Sequence, residues 1–148
     1  MTERTIVVLE GDQTGQELLE EALRVLDPAV SRVPLNFMRF DLSLEKRRDT
    51  ENQIVRNAAA ALRDFGLGIK AATITPEKAG DAGSPNQKNI ANPLAMILAG
   101  AALLRYVGSQ DAERASRAIY ESALGAIYDG VATSDLGAAP LPAILRMK

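Results

Sequence analysis

The stretch Thr5-Ile6-Val7-Val8-Leu9-Glu10-Gly11-Asp12-Gln13-Thr14-Gly15-Gln16-Glu17 decides the fold. Its first half is a short unbroken apolar run rich in β-branched side chains, which predicts a buried strand over Arg4–Glu10 that Gly11 ends. Its second half changes period. Thr14 with Glu17 three residues later fits a capping box, and Leu18, Ala22 and Leu26 then share one helical face, with Leu19 and Leu23 beside them. The helix is expected to reach about Asp27, where Pro28 closes it.

Working outward, the same alternation repeats. A second strand is expected over Leu35–Asp41, and Thr50 with Gln53 forms a second capping box before Ile54, Ala58, Ala61, Leu62 and Phe65 at helical spacing. Gly66 is the natural stop of that helix, and 67–74 reads as a third strand. Two strand–helix units feeding a third strand predict an α/β fold with a small parallel sheet of about three strands (βαβαβ) and right-handed crossovers. The stretch from about 75 to 91 is then almost devoid of apolar residues, and a loop of that length in a compact domain is usually functional or disordered. Asn92 and Pro93 open a helix, as N-cap and first residue, that runs to about 107. A second helix over about 111–129 has Ala115, Ile119, Ala123 and Ile127 on one face, so the two make an α-helical hairpin. The tail, about 131–148, is rich in Ala, Pro and Gly and is expected to be loosely held. The whole of 1–148 reads as one domain.

Composition narrows the chemistry. With 17 basic and 19 acidic residues the net charge is −2, which is not the footprint of a nucleic-acid binder. Cysteine, histidine and tryptophan are absent, which removes thiol nucleophiles, Ser-His-Asp arrangements and the commonest zinc ligands, so no metal centre is expected. Acid–base chemistry would fall to Asp, Glu, Lys or Tyr. The most apolar stretch, 93–104, is too short against the roughly 20 residues of a membrane span and reads as a core helix. The opening apolar run is too short for a secretory signal, which points to the cytoplasm.

Several clusters admit two readings. Residues 11–15 have the placement of a phosphate loop but match neither G-x-G-x-x-G nor G-x-x-x-x-G-K-[ST], and a tight strand-to-helix turn explains them equally simply. Asp12, Glu17, Glu77 and Asp81 fall near strand ends or in the long loop, where carboxylates either line a crevice or are exposed loop charges. Thr73, Thr75, Ser84 and Asn86 suit contacts to carboxylates or hydroxyls, and are equally what turns use. Lys70 is either a tuned amine or a snorkelling edge residue. The run Glu45-Lys46-Arg47-Arg48-Asp49 reads as a solvated face.

Beyond spacing, the opening block 6–17 resembles the start of the NAD(P)-dependent isocitrate dehydrogenases, in the β-decarboxylating family that includes isopropylmalate dehydrogenase. Lys70-Ala71-Ala72-Thr73-Ile74-Thr75-Pro76-Glu77 is similar to that family's nicotinamide-side strand and loop, and Gly83-Ser84-Pro85-Asn86 to its substrate-serine loop. Asn92-Pro93-Leu94-Ala95-Met96-Ile97-Leu98 resembles its Asn-Pro helix, and Gly130-Val131-Ala132-Thr133-Ser134-Asp135-Leu136-Gly137 its nucleotide-side turn. The resemblance implies part of the family's larger domain, with Ser84 and Asn86 as substrate contacts, Thr75 on the nicotinamide side, and Asn92 and Asp135 on the adenine side. It also implies a loss. A long middle region of the family, carrying the arginine cluster, the catalytic tyrosine and lysine, the metal-binding aspartates and the smaller domain, has only residues 87–91 in its place.

Oxidative decarboxylation needs a divalent cation, cationic clamps for carboxylates and a general base, so isocitrate dehydrogenase activity is expected to be absent. Two functions follow as expectations. One is a non-catalytic homo-oligomer, a dimer first, that associates through the Ala-rich helices 92–107 and 111–129 and binds a small molecule or assembles, with no cofactor required and NAD(P) affinity at most vestigial. The other is a cofactor-free isomerase, cyclase or lyase with Asp12, Glu77 or Asp81 as base and Ser84, Asn86 or Tyr106 orienting the substrate.

Overall fold

The structure is a computed structural model and describes residues 3–75, 91–131 and 133–136. Its first element is the strand expected from the opening stretch, β1 (Arg4–Glu10), followed by α1 (Gln13–Leu26), a single turn α2 (Pro28–Ser31) and β2 (Leu35–Asp41). Then come α3 (Leu44–Asp49), α4 (Gln53–Phe65) and a short β3 (Gly68–Lys70). The hairpin helices are α5 (Leu94–Leu104) and α6 (Gln110–Tyr128), with a 3₁₀ turn at Ser134–Leu136.

The sheet is three-stranded in the order β2-β1-β3. Both pairings of β1 are parallel: Arg4 stands opposite Leu35 and Glu10 opposite Asp41 on one side, Val7 opposite Gly68 and Leu9 opposite Lys70 on the other. A central strand flanked on both edges and covered on both faces must be apolar throughout, and Ile6, Val7 and Val8 are each fully buried. Side chains alternate along a strand, so Ile6 and Val8 enter the main core with Leu19, Leu23 and Leu26 of α1, Ile69 of β3, Leu104 of α5 and Ala112 and Ala115 of α6. Val7 turns to the opposite face, where α4 packs on β1 with Ala58 buried.

Several element ends differ from the sequence expectation. The third strand is shorter than 67–74. Its ladder persists through Ala71, whose N–H donates to the Leu9 carbonyl, and then the Ala72 carbonyl leaves it to accept from the Asp12 N–H. Neither capping box forms as expected. α1 begins at Gln13, with Asp12 at the N-cap making no side-chain cap bond, so Thr14 lies inside the helix. α4 is preceded by Asn52 in the left-handed region, and Thr50 ends α3 instead. The Thr50 hydroxyl does reach the N–H of Ile54, at 3.4 Å. Gly66 ends α4 as expected, at φ +78°, a conformation that costs a side chain but not glycine.

The hairpin helices run antiparallel, since the Ser116 hydroxyl donates to the Ala101 carbonyl and the Tyr120 hydroxyl to that of Leu98. α5 starts one residue later than expected because Asn92 caps from outside, its side-chain oxygen accepting from the Leu94 N–H at 2.9 Å. Regular α-helix stops at Leu104, and tighter turns, with Tyr106 N–H to Leu103 and Val107 N–H to Leu104, carry the chain on to 107. Burial on α6 is concentrated in its first half, at Ala112, Ala115 and Ser116. Of the expected face, Ile119, Ala123 and Ile127 are only half-buried. Glu77, Asp81, Ser84 and Asn86, most of the expected 75–91 loop and most of the 131–148 tail lie outside the described residues.

Candidate functional site

In a parallel sheet the carboxyl ends of the strands open onto a shared edge, where loops bring side chains together. Here that edge is built by the turn after β1, the start of α3 and the run-out of β3. Asp12 stands at its centre. Its Oδ1 accepts from the Leu44 N–H at 2.8 Å, and its Oδ2 accepts from the Ile74 N–H at 2.9 Å. Arg47 closes the arrangement. Its Nη2 donates to the Ile74 carbonyl at 2.6 Å and lies 3.5 Å from Asp12 Oδ2, while its Nε donates to the Leu42 carbonyl at 2.8 Å. The Arg47 and Asp12 side chains are 18% and 11% exposed, so water screens the pair far less than a surface ion pair.

The glycines of the turn explain how closely these segments meet. A Cβ on Gly11 would stand 2.0 Å from the Ala72 carbonyl oxygen, and one on Gly15 would stand 2.8 Å from it. Glycine is needed at 11 and 15 because the β3 run-out presses on the turn. The turn's amides are also engaged within the protein. The Gly11 N–H donates to Gln16 Oε1 at 2.9 Å, that of Asp12 to the Ala72 carbonyl, and those of Gly15 and Gln16 to the Asp12 carbonyl. The chain makes a tight strand-to-helix turn at 11–15, and the Gln13 and Thr14 N–H groups have no partner among the described residues. Gln16 extends the network outward to Glu20, which with Glu10 accepts from Arg39 of β2. These two carboxylates, Glu20 first, raise the Arg39 guanidinium above its ordinary value.

A cavity of about 340 Å³ opens beside this centre, lined by Asp12, Gln13, Leu44, Glu45, Arg48, Asp49 and Ile74. Thr75 is exposed at its margin, directly after the clamped Ile74 peptide. Lys70 is exposed and its Nζ donates to the Ala71 carbonyl at 2.8 Å and toward the Thr73 hydroxyl at 3.4 Å, an edge lysine rather than a buried amine.

A second polar group forms where α5 begins. Asn92 Nδ2 donates to Asp135 Oδ2 at 3.1 Å, so two residues far apart in sequence meet. The Asp135 carboxyl is held below the ordinary carboxylate range by the Thr133 hydroxyl first and the Asn92 amide second. The Thr133 oxygen is buried. With Oδ1 capping Leu94 and Nδ2 on Asp135, the Asn92 amide keeps one N–H and one oxygen lone pair for further contacts.

Tyr106 is not brought to either group. It is 73% exposed and precedes Val107, which lies with Arg4 and Pro34 around a cavity at the amino edge of the sheet, about 20 Å from Asp12 by the length of a seven-residue strand. Sequence reasoning missed Arg47, which sits in a charge run that otherwise faces water. The available signal was its place in the turn after the second strand, beside the edge that Asp12 marks.

The model of the isocitrate/isopropylmalate dehydrogenase family matches residues 5–87, more than half of the chain. This chain belongs to that family. Its isocitrate/isopropylmalate dehydrogenase character is carried by the segment that builds the whole sheet and the Asp12–Arg47 centre. The NADP isocitrate dehydrogenase of Sphingobium yanoikuyae is 38% identical over 74 residues, which is 50% of this chain and 18% of that protein. The mitochondrial NADP isocitrate dehydrogenase of Saccharomyces cerevisiae is 36% identical over 74 residues, 50% of this chain and 17% of that one. The 3-isopropylmalate dehydrogenase of Salmonella typhi is 47% identical over 74 residues, again 50% and 18%. The matched part thus spans less than a fifth of the length of these curated relatives. The family match ends before the blocks at 92–98 and 130–137.

Proposed function

We propose that this family member has no oxidative decarboxylase activity and acts as a self-associating module that retains the sheet and the paired helices of its relatives. The observation that carries this reading is the nature of α5. Its sequence, Leu94-Ala95-Met96-Ile97-Leu98-Ala99-Gly100-Ala101-Ala102-Leu103-Leu104, has no polar side chain on any face, yet Ala95 and Ala99 are exposed. A helix that is apolar all round belongs inside a larger core. The antiparallel register that sets Leu98 against Tyr120 also carries the end of α6 past the start of α5, and there Leu124 and Tyr128 are 58% and 92% exposed. A second copy packed on this side would cover both.

The loss of chemistry is supported by the carboxyl edge. Asp12 already accepts from two backbone N–H groups and a guanidinium, so its oxygens are committed to holding the edge together. Size-exclusion chromatography with light scattering tests the assembly and should give a mass of at least twice 15.8 kDa at micromolar concentration. A monomer throughout that range refutes it. The same preparation should form no NADPH from isocitrate, NADP⁺ and Mg²⁺.

A further inference from the structure

We infer that Arg47 is a positioning residue: with Asp12 it forms a joint that fixes the peptide of Ile74, and thereby the place of Thr75 at the carboxyl edge of the sheet. The sheet itself does not do this. β3 ends at Lys70, the last ladder bond is that of the Ala71 N–H, and the Ala72 carbonyl has already turned to the Asp12 N–H. From there to Thr75 the chain is held from the side. Both polar groups of the joint's central residue are engaged, the Ile74 N–H by Asp12 Oδ2 and the Ile74 carbonyl by Arg47 Nη2. Arg47 is in turn braced by the Leu42 carbonyl, and Asp12 by the Leu44 N–H, both at the entry to α3. The two side chains therefore tie three segments of distant sequence at one point: the β1–α1 turn, the start of α3 and the β3 run-out.

The joint requires a guanidinium. Nε and Nη2 point to different acceptors, Leu42 on one side and Ile74 with Asp12 on the other, and a planar fork reaches both at once. A lysine ammonium keeps the charge beside Asp12 but is a single point and cannot span both carbonyls. Charge alone is thus separable from position, which makes the role testable independently of any ligand and of the assembly proposed above.

The experiment is amide hydrogen exchange, residue by residue, on the full chain and on Arg47→Lys, with Asp12→Asn as a second variant. In Arg47→Lys the Ile74 N–H should exchange at least tenfold faster, while the Val7 and Val8 amides of the central strand stay within twofold. Asp12→Asn should speed exchange at both Ile74 and Leu44, because both donate to the carboxylate. Three results overturn the inference: unchanged exchange at Ile74 in Arg47→Lys, acceleration of the β1 amides by the same factor, or failure of Arg47→Lys to fold. The last two would show that Arg47→Lys, which keeps the charge beside Asp12, acts on the whole fold and not on local position.

Discussion

Asp12 and Arg47 show how one buried pair differs from the ion pairs that surround it. Arg39, which bridges Glu10 and Glu20, is 42% exposed, and Arg39→Ala should cost less than about 1 kcal/mol in urea unfolding, as exposed pairs do. Arg47→Ala leaves the Leu42 and Ile74 carbonyls without their donor and removes the cation beside the largely buried Asp12, which keeps its two N–H donors, and should cost about 3 kcal/mol by the same measurement. Nothing in the run 45–49 distinguished Arg47 from Arg48 as sequence, because which of two adjacent arginines turns inward depends on where the helix begins. Gly11 offers a second test. Gly11→Ala forces a methyl to 2.0 Å from a backbone oxygen that is itself part of the turn, so the cost should be about 3 kcal/mol. Asp135 offers a third. Its folded-state carboxyl sits below the ordinary value of 3.8, so the charged form favours the native state. That contribution is present above the ordinary carboxylate range and is lost as pH falls below 3.8 through the lower folded value. NMR titration should place the Asp135 midpoint below 3.8, and Asn92→Ala should move it upward by removing one of the two donors. A midpoint that does not respond would remove Asn92 from the account.

At the scale of elements, the ones that were legible are those whose pattern and packing agree. β1 and β2 have the expected bounds because a β-branched or alternating run between turn residues leaves the chain few other choices. The helix stops at Gly66 and near Gly130 were legible for the same reason. The misread features are all places where a distant residue competes for a local group. Thr14 could have capped α1, but Asp12 occupies the N-cap position and its side chain is drawn to Leu44 and Ile74. The third strand could have continued to 74, but the β1–α1 turn takes the Ala72 carbonyl. Of the side-chain pairings, the one between Asn92 and Asp135 follows from no spacing rule, since the residues lie 43 apart, and Arg47 had only its place after the second strand to mark it. The hairpin carries its own prediction. Ser116 is 3% exposed and its hydroxyl donates to the Ala101 carbonyl at 2.7 Å, so the helices are joined by one buried hydrogen bond amid small side chains. Ser116→Ala should cost about 1 kcal/mol, whereas Ser116→Leu, which must push α5 away, should cost about 2–3 kcal/mol in thermal or urea unfolding.

At the scale of the whole molecule, the two faces of the sheet are not equally finished. On one, α4 closes over Val7 with Ala58 and presents a polar exterior of Arg56, Asn57 and Arg63 to water. On the other, α1, α5 and α6 enclose the main core; α6 turns Glu113, Arg114, Arg117 and Glu121 outward, but α5 exposes only Ala95 and Ala99, and the end of α6 exposes Leu124 and Tyr128. A groove of about 460 Å³ between these helices is lined by Val25, Val30, Ile97, Ala118, Ile119 and Ala123 among others, and Val30 is 63% exposed. The proposed self-association would cover this apolar groove with the like surface of a second copy. If copies meet there, charge placed on the overhanging end of α6 should separate them without harming the fold. Leu124→Asp with Tyr128→Asp changes two side chains that are already in water in the single chain, so the melting temperature of the monomer should stay within a few degrees of its parent. The mass by light scattering should fall to 15.8 kDa. An assembly that keeps its mass with both aspartates in place would move the contact away from the α6 overhang, and a parent that is already monomeric would show that the exposed apolar side of α5 and α6 is tolerated by a single chain in water.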